Sequence, residues 1–377
     1  MDQPPDDPLT GFVVLATLLA SVATWIALIA RWRGGKPLLE YEPRSPVPWG
    51  AAIAMLAVVF VAITLLTPSG SGEQPAPLHP VEATQRLVGF ILFQSVVIGG
   101  VLAIVTVFYR ASLRDLGLPV YADEFVRDVR LGIITSLAAL APVYGVQLLM
   151  LFLFGPSKHP LVEMVTSGEP NVGIVFLASI AAVVVAPVSE EILFRLLLQG
   201  CLEKWEDEWR VVLRNFGFRF QFRLKHLLIA TAVLAIVLTL MTLNVLLTLI
   251  ALLVIMLAAG LFFYSLRHQS AMTNVDPDNS LLVVGNSTLE NASPACDVPA
   301  GTVTWPYGWP PILISSLLFA IAHSGYGPDP IAIFVLAIIL GYVYRRTHRI
   351  VPCMVAHALF NSVAMLILWR MVLLQTE

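Results

Sequence analysis

Two adjacent carboxylates and an arginine interrupt an otherwise apolar stretch of the chain at 173–200. Glu191 and Arg195 are four residues apart, so on a helix they share one face and can form an ion pair. Glu190 points about 100° away around the same helix and has no cation nearby in the sequence. An unpaired carboxylate in an apolar segment is costly to bury, and it is the type of group that acts as a general base on water.

Two further apolar stretches carry histidines. His323 lies at the end of the stretch 309–324, and His357 precedes Asn361 by about one helical turn within 351–372. Each histidine or ion pair taken singly is also compatible with a structural tether between helices. Two imidazoles, an unpaired carboxylate and an amide that converge in one bundle could instead bind a metal ion or activate a water molecule directly.

The elements that must position these groups are predicted to be membrane-spanning helices. Of the 377 residues, 58% are hydrophobic and only 12% are charged, about half the charged fraction of an average soluble domain. This composition excludes an ordinary soluble enzyme, a disordered chain and a protein that binds nucleic acid. The three cysteines are too few and too scattered for a disulfide framework or a zinc ribbon.

Apolar runs predict an all-α fold, a polytopic transmembrane helix bundle of about ten spans. The run 227–266 is about twice the length of one span, and we predict that it forms a hairpin of two. With this hairpin, most of the 22 Lys and Arg residues fall on one side, which the positive-inside rule makes cytoplasmic. The predicted spans lie near 9–30, 48–67, 86–109, 131–154, 173–200, 227–243, 245–264, 309–324, 330–344 and 351–372.

The polar motifs together resemble the CPBP family, the CAAX-processing and bacteriocin-processing (Abi) intramembrane proteases. In chain order they read Glu190-Glu191-x-x-x-Arg195, Phe319-x-x-x-His323 and His357-x-x-x-Asn361. Each motif lies in an apolar segment, so the combination is more specific than any one motif alone. The chain differs from many members in having Leu196 rather than glycine after the motif arginine, and in a long insertion between the first two motifs.

The resemblance implies hydrolysis of a peptide bond and a catalytic role for each motif residue. Glu190 would activate the attacking water, and His323 would assist it or ligate a metal ion. His357 and Asn361 would complete the site as ligands or as donors to the oxyanion.

The resemblance also implies that Arg195 holds Glu191 and thereby fixes the helix. Zn²⁺ or another divalent cation is the implied cofactor, with Glu190, His323 and His357 as its candidate ligands. The family is named for metalloproteases, but a metal-free, glutamate-dependent mechanism is also compatible with it, and the chain has no His-Glu-x-x-His motif.

Three regions follow from the spans and the motifs. Residues 1–170 form a four-span N-terminal membrane region, and 171–204 together with 309–372 form the CPBP-like protease core. Residues 205–308 are the insertion, with a basic segment, the transmembrane hairpin and a polar loop.

The predicted partners are membrane lipids and a membrane-anchored peptide or protein substrate, and the predicted location is a bacterial inner membrane. Two other functions remain compatible with the sequence. Buried Glu, His and Asn side chains also line the ion paths of proton- or ion-coupled transporters. A non-catalytic immunity or scaffold protein on the same fold is the third possibility.

Overall fold

The computed structural model of the protein describes residues 8–43, 46–66, 79–155, 160–166, 171–215, 309–324 and 329–376. Every regular element in these ranges is helical, and none of the described residues forms a β-strand. The predicted hairpin and the rest of the insertion from residue 216 to residue 308 lie outside the described residues.

Eleven α-helices and two π-helical segments make up the described chain. The π-helical segments lie on either side of one short α-helix in the middle of the run that carries Glu190. The elements are α1 (Pro8–Arg33), α2 (Ala51–Leu66), α3 (Pro80–Val107), α4 (Ala122–Phe154), α5 (Pro160–Thr166), α6 (Val172–Ser179), π1 (Ile180–Val185), α7 (Ala186–Glu191), π2 (Ile192–Gln199), α8 (Gly200–Asn215), α9 (Trp309–Ala322), α10 (Asp329–Thr347) and α11 (Val351–Thr376).

Six helices among the described residues are long and apolar enough to cross a membrane. They are Leu15–Arg33 of α1, α3, α4, the continuous run Val172–Glu208, α10 and α11. Two shorter apolar helices, Ala51–Ile63 and Trp309–Ala322, lie where full spans were predicted. The 14 residues of α9 extend about 21 Å, less than the roughly 30 Å of a hydrocarbon core. The predicted all-α helical membrane bundle is confirmed, and the protein is an integral, multi-pass membrane protein.

Large apolar side chains cover the outside of these helices. Val96 of α3 is 73% exposed, Phe152 of α4 is 85% exposed, and Phe108 just after α3 is 78% exposed. In water such a surface would drive aggregation, whereas lipid chains solvate it without penalty. The helices must therefore be held together by close packing and by polar contacts rather than by the exclusion of apolar surface from water.

Close packing is clearest where α4 lies along α11. A Cβ atom on Gly132 of α4 would lie 2.6 Å from Val355 Cβ and 2.9 Å from Pro352 O, so a larger residue would push the helices apart. This contact supports the half of α11 that carries His357. The proposed boundary between the N-terminal region and the protease core remains a prediction.

Arg349, in the turn before α11, joins three parts of the chain. Its Nη1 forms an ion pair with Asp128 of α4, a fully buried side chain, and its Nη2 lies 2.6 Å from Glu42 Oε1 in the loop after α1. One Arg349 guanidinium therefore balances a carboxylate that would otherwise be buried without a counter-charge.

A second buried carboxylate anchors the same turn from the other side. Glu203 Oε2 of α8 lies 3.3 Å from Arg345 Nη1 and 3.0 Å from His348 Nε2. The other ring nitrogen of His348 lies 3.1 Å from Glu42 O. These contacts fix where α10 ends and α11 begins, and they therefore set the height of His357 in the bundle.

Gly117 holds the loop between α3 and α4 against this turn. Its φ of +65° lies in the left-handed region, and its carbonyl accepts a 3.0 Å hydrogen bond from Ile350 N. An added Cβ would lie 2.7 Å from His348 O and 2.9 Å from Ile350 N. Both the backbone conformation and the space therefore require glycine here.

We predict that Gly117→Ala lowers the free energy of unfolding by about 1–3 kcal/mol, because alanine is strained at this φ and its Cβ meets main-chain atoms. Thermal unfolding of the detergent-solubilised protein measures this. Gly145→Ala is the matched control, since a Cβ at Gly145 in α4 meets nothing within 4 Å. Equal melting temperatures for the two variants would contradict the prediction.

Candidate active site

The acidic pair lies in a short α-helix between two π-helical segments. Pro187, in the first turn of α7, has no N–H to donate to the carbonyl four residues earlier. At the preceding residue the helix already follows the wider pattern, with Ala186 N bonded to Ala181 O. A π-helical turn rotates the side chains that follow it around the helix axis, and such turns occur frequently at functional sites. The directions of Glu190 and Glu191 are therefore not those of an uninterrupted α-helix.

Glu191 and Arg195 form a fully buried ion pair. Arg195 Nε lies 3.2 Å from Glu191 Oε2, and neither side chain is exposed to solvent. Arg195 Nη1 also donates to Ser315 Oγ at 3.1 Å, and that hydroxyl donates to Phe194 O at 2.7 Å. The guanidinium lies 5.0 Å from the centre of the Phe319 ring. The buried cation thereby joins π2 to α9, the helix that leads to His323.

Glu191 also orients His357. Its Oε1 lies 3.0 Å from His357 Nδ1. A carboxylate paired with arginine accepts hydrogen bonds, so His357 Nδ1 carries the hydrogen and donates it. In the neutral ring, His357 Nε2 is then an acceptor that points away from Glu191. The Glu191 carboxylate thus forms an ion pair with Arg195 through one oxygen and accepts a hydrogen bond from His357 through the other, and it fixes the tautomer of the histidine.

His323 has the same tautomer for a different reason. Its Nδ1 lies 2.8 Å from Phe319 O, a main-chain carbonyl that can only accept. Its Nε2 is therefore also an acceptor in the neutral ring. The Phe319 ring contacts both imidazoles, with ring centres 4.8 Å from His323 and 5.7 Å from His357, and holds them apart.

Glu190 lies between the two histidines. Its Oε2 is 3.8 Å from His323 Nε2 and 3.8 Å from His357 Nε2. Both distances exceed a direct hydrogen bond, and all three atoms are acceptors when Glu190 is ionised and the rings are neutral. A water molecule, which donates two hydrogens, is the simplest group that bonds with such a set. His323 is 21% exposed and Glu190 12% exposed, so the site is enclosed but not sealed.

Asn361 is held at a different place from these side chains. Its Nδ2 donates to Ala182 O in π1 at 2.8 Å. Two turns further along α11, Trp369 Nε1 donates to Ser179 Oγ at 2.8 Å. Both bonds attach α11 to the helix that carries Glu190. The geometry therefore brings Glu190, Glu191, Arg195, His323 and His357 into one connected cluster and places Asn361 beside it as a link to π1.

The predicted metal ligands are Glu190, His323 and His357. Among the described residues, no group of three or more His, Cys, Asp or Glu side chains is arranged so that it could hold a metal ion. Glu190, His323 and His357 meet as two pairs centred on one carboxylate oxygen. The geometry therefore does not assign a divalent cation to these residues, and zinc remains a prediction.

Sequence reasoning missed three groups that shape this site. Ser315 is not part of any predicted motif, and Phe319 has no predicted role of its own in the second motif, yet they position Arg195 and both histidines. The signal for Ser315 was present, since a hydroxyl in an apolar helix needs a partner. No sequence pattern indicated that the Ala182 carbonyl would bond with Asn361, because that depends on the π-helical turn.

The comparisons with known proteins concern the C-terminal part of this cluster. The family model described as Type II CAAX prenyl endopeptidase Rce1-like matches residues 299–363. This segment includes His323, His357 and Asn361, and the match confirms the resemblance to the CPBP family there. Glu190 and Arg195 lie outside it. No curated protein and no solved structure gives a significant match to the chain.

We predict that Arg195→Met lowers the free energy of unfolding by about 3–5 kcal/mol, because Glu191 would stay buried without its counter-charge. Denaturant unfolding in detergent micelles measures this. The matched control is Arg86→Met, which breaks an exposed Glu82–Arg86 pair with the same four-residue spacing. That variant should change the free energy by less than about 1 kcal/mol. Similar losses in both variants would refute the structural role given to Arg195.

Proposed function

We propose that the protein is an intramembrane endopeptidase that hydrolyses a peptide bond in a membrane-associated substrate. The observation that carries this proposal is the position of Glu190 Oε2, 3.8 Å from the Nε2 atoms of both His323 and His357. A carboxylate between two imidazole acceptors is suited to take a proton from water in an enclosed, apolar site. The match to a CAAX prenyl endopeptidase family supports the class of reaction.

In the proposed reaction, Glu190 acts first as a general base and then as a general acid. Its carboxylate removes one proton from water while the water oxygen forms a bond with the scissile carbonyl carbon. The carbonyl electron pair moves to its oxygen and gives a tetrahedral oxyanion. Glu190 then returns the proton to the amide nitrogen, the oxyanion collapses, and the carbon–nitrogen bond breaks.

The two histidines would hold the water while Glu190 removes one of its protons. Each Nε2 can accept the hydrogen that Glu190 does not remove, and this hydrogen stays on the former water oxygen during the attack. His357 is the more firmly oriented of the two acceptors, because its Nδ1 donates to the Glu191 carboxylate.

Asn361 would have two tasks. One N–H of its amide bonds with Ala182 O and fixes π1. The amide has a second N–H, which we assign to the oxyanion, in line with the role that the motif resemblance implies. Loss of Asn361 should therefore reduce the rate without removing the general base.

The substrate class that we propose is a peptide or protein tethered to the membrane by a lipid or an apolar segment, and the membrane that we propose is a bacterial inner membrane. A suitable probe is an internally quenched peptide that ends in S-farnesyl-Cys-Val-Ile-Met, reconstituted with the protein in liposomes. The same peptide without the farnesyl group separates recognition of the lipid from recognition of the peptide.

We predict that Glu190→Gln lowers the cleavage rate of the farnesylated probe by at least about 100-fold, because glutamine has no basic oxygen for the water proton. Initial rates from the fluorescence increase measure this. Glu82→Gln is the control, since it makes the same change on an exposed part of α3 and should cleave at the wild-type rate.

Wild-type rates in Glu190→Gln would remove the role given to this residue. If purified wild-type protein cleaves neither form of the probe yet carries a proton flux in liposomes, the protease proposal fails and the transporter is favoured.

We further predict that cleavage persists, within about twofold, after dialysis against EDTA and then 1,10-phenanthroline. The reason is geometric, since the described donors meet in pairs and not as a three-ligand set. Metal content is read by mass spectrometry on the same samples. Loss of cleavage that is restored by added Zn²⁺, together with lower zinc content in His323→Ala, would assign the ion to Glu190, His323 and His357 instead.

A further inference from the structure

One buried polar side chain in the bundle belongs to none of the contacts described above. Gln94 lies near the middle of α3, on the face that also carries Leu87 and Ile98, and it is only 3% exposed. None of the described residues gives its Oε1 a hydrogen-bond partner. An apolar side chain of similar size would fill the same space without leaving an amide unpaired.

Burying the amide of Gln94 without a hydrogen-bond partner lowers the stability of the folded protein. A buried carboxamide without a partner costs several times what an average hydrogen bond contributes to stability. Lipid cannot replace the missing partner, because the hydrocarbon region contains no hydrogen-bonding groups. Polar side chains that are kept inside membrane helices in this way mark functional sites.

The position of Gln94 along α3 brings it to the level of the candidate active site. Ala83 and Leu87 of α3 pack in one apolar cluster with Ile174 and Ala178 of α6. The helix α3 also contacts π1 and α7. Because Ala83 and Leu87 lie near the start of α3 and cluster with α6, which precedes π1 and α7, the two helices are inferred to run in the same direction. Gln94 comes about two helical turns after Leu87, which places it near the junction of π1 and α7, and Glu190 follows that junction by a little more than one turn.

We propose that the Gln94 carboxamide binds the main chain of the peptide substrate next to the scissile bond. The inference rests on the proposed function and extends it, because it says how the substrate is recognised. The substrate class is a peptide whose backbone is extended in the site, whatever its side chains are.

An extended peptide substrate has main-chain groups that a carboxamide can bind. A peptide bond inside a regular helix is shielded by the neighbouring turns, so the segment to be cleaved must unwind. Its N–H and C=O groups then lose their helical partners in a region without bulk water. A carboxamide has an acceptor oxygen and two N–H donors, which are the complement of one peptide unit. Gln94 can therefore form a hydrogen bond with a backbone N–H or C=O of the substrate, whatever the side chains of the substrate are.

The proposal predicts that replacing Gln94 weakens the binding of peptide but does not destabilise the free protein. If Gln94 serves the substrate, Gln94→Met removes an unpaired polar group from the free protein and does not lower its melting temperature. The same variant binds peptide more weakly, because a backbone group of the substrate is left without a partner. A purely structural glutamine would lose stability and binding together.

The experiment uses the full chain in nanodiscs and two probes. The first probe is a fluorescein-labelled peptide that ends in S-farnesyl-Cys-Val-Ile-Met, and its dissociation constant is read by anisotropy in the Glu190→Gln background, where we expect no cleavage. The second is the same peptide N-methylated at the peptide bonds that flank the scissile one. Gln147→Met is the matched control, since it makes the same change at a half-buried position about two turns before the end of α4.

We expect Gln94→Met to raise the dissociation constant of the first probe about tenfold. In the cleaving protein it should raise KM by a similar factor and change kcat less than about twofold, as expected for loss of uniform binding. N-methylation should weaken binding to the parent protein and have little further effect in Gln94→Met, because the two changes remove the same hydrogen bond. The Gln147→Met control should bind both probes like the parent.

Three results would overturn the inference: an unchanged dissociation constant in Gln94→Met, a melting temperature that falls by more than about 5 °C in that variant, or a parent protein that binds neither probe. A different result would contradict the proposed function and leave the role of Gln94 intact. If the parent binds the first probe in a Gln94-dependent way and the wild-type protein does not cleave it, peptide recognition stands and proteolysis does not.

Discussion

The rest of the site depends on one buried carboxylate that is shared between two partners. Glu191 forms an ion pair with Arg195 and accepts a hydrogen bond from His357 Nδ1, with no exposure to solvent. Through Arg195 the same charge reaches Ser315 on α9, and through His357 it reaches α11. Three separate stretches of the chain are therefore held by the requirement that this charge be balanced, which is strict in a medium of low dielectric constant.

The two adjacent glutamates, Glu190 and Glu191, have different roles. Glu191 is occupied on both oxygens and acts as a positioning residue for the His357 ring. In the part of the chain that the structure describes, Glu190 has no such cation, and its Oε2 lies near the acceptor nitrogens of two histidines. The π-helical turns on either side of α7 make this division possible, since they turn consecutive side chains into different surroundings. The same sequence on a regular helix would present the pair at another angle.

The sequence predicted contacts between residues that are close in the chain better than contacts between distant helices. The Glu191–Arg195 pair follows from a four-residue spacing, and the histidines were selected because each lies in an apolar run. The all-α bundle follows from hydropathy. The Ala182–Asn361 bond could not be predicted, because it depends on a π-helical carbonyl and on the register of α11. Gln94 was overlooked for a related reason, since one amide in an apolar helix has no periodic signal and only burial shows its importance.

The buried polar groups of the bundle are of two kinds, charge pairs that join helices and acceptors at the candidate site that meet no cation in the described part of the chain. Helices in lipid gain little from hiding apolar surface, so polar contacts contribute much of their mutual attraction. Arg349 with Asp128, and Glu191 with Arg195, pair charge with charge inside the chain. Asp128 Oδ2, Glu191 Oε2 and the Nε atoms of both arginines are nevertheless buried without a hydrogen-bond partner among the described residues. Acceptors at Glu190, His323, His357 and Gln94 face no donor among the described residues in the ionised and tautomeric forms derived above. The helix that carries Gln94, α3, contacts π1 and α7, and α7 carries Glu190. Under the proposed function, a water molecule and an unwound peptide would supply the donors that these acceptors lack.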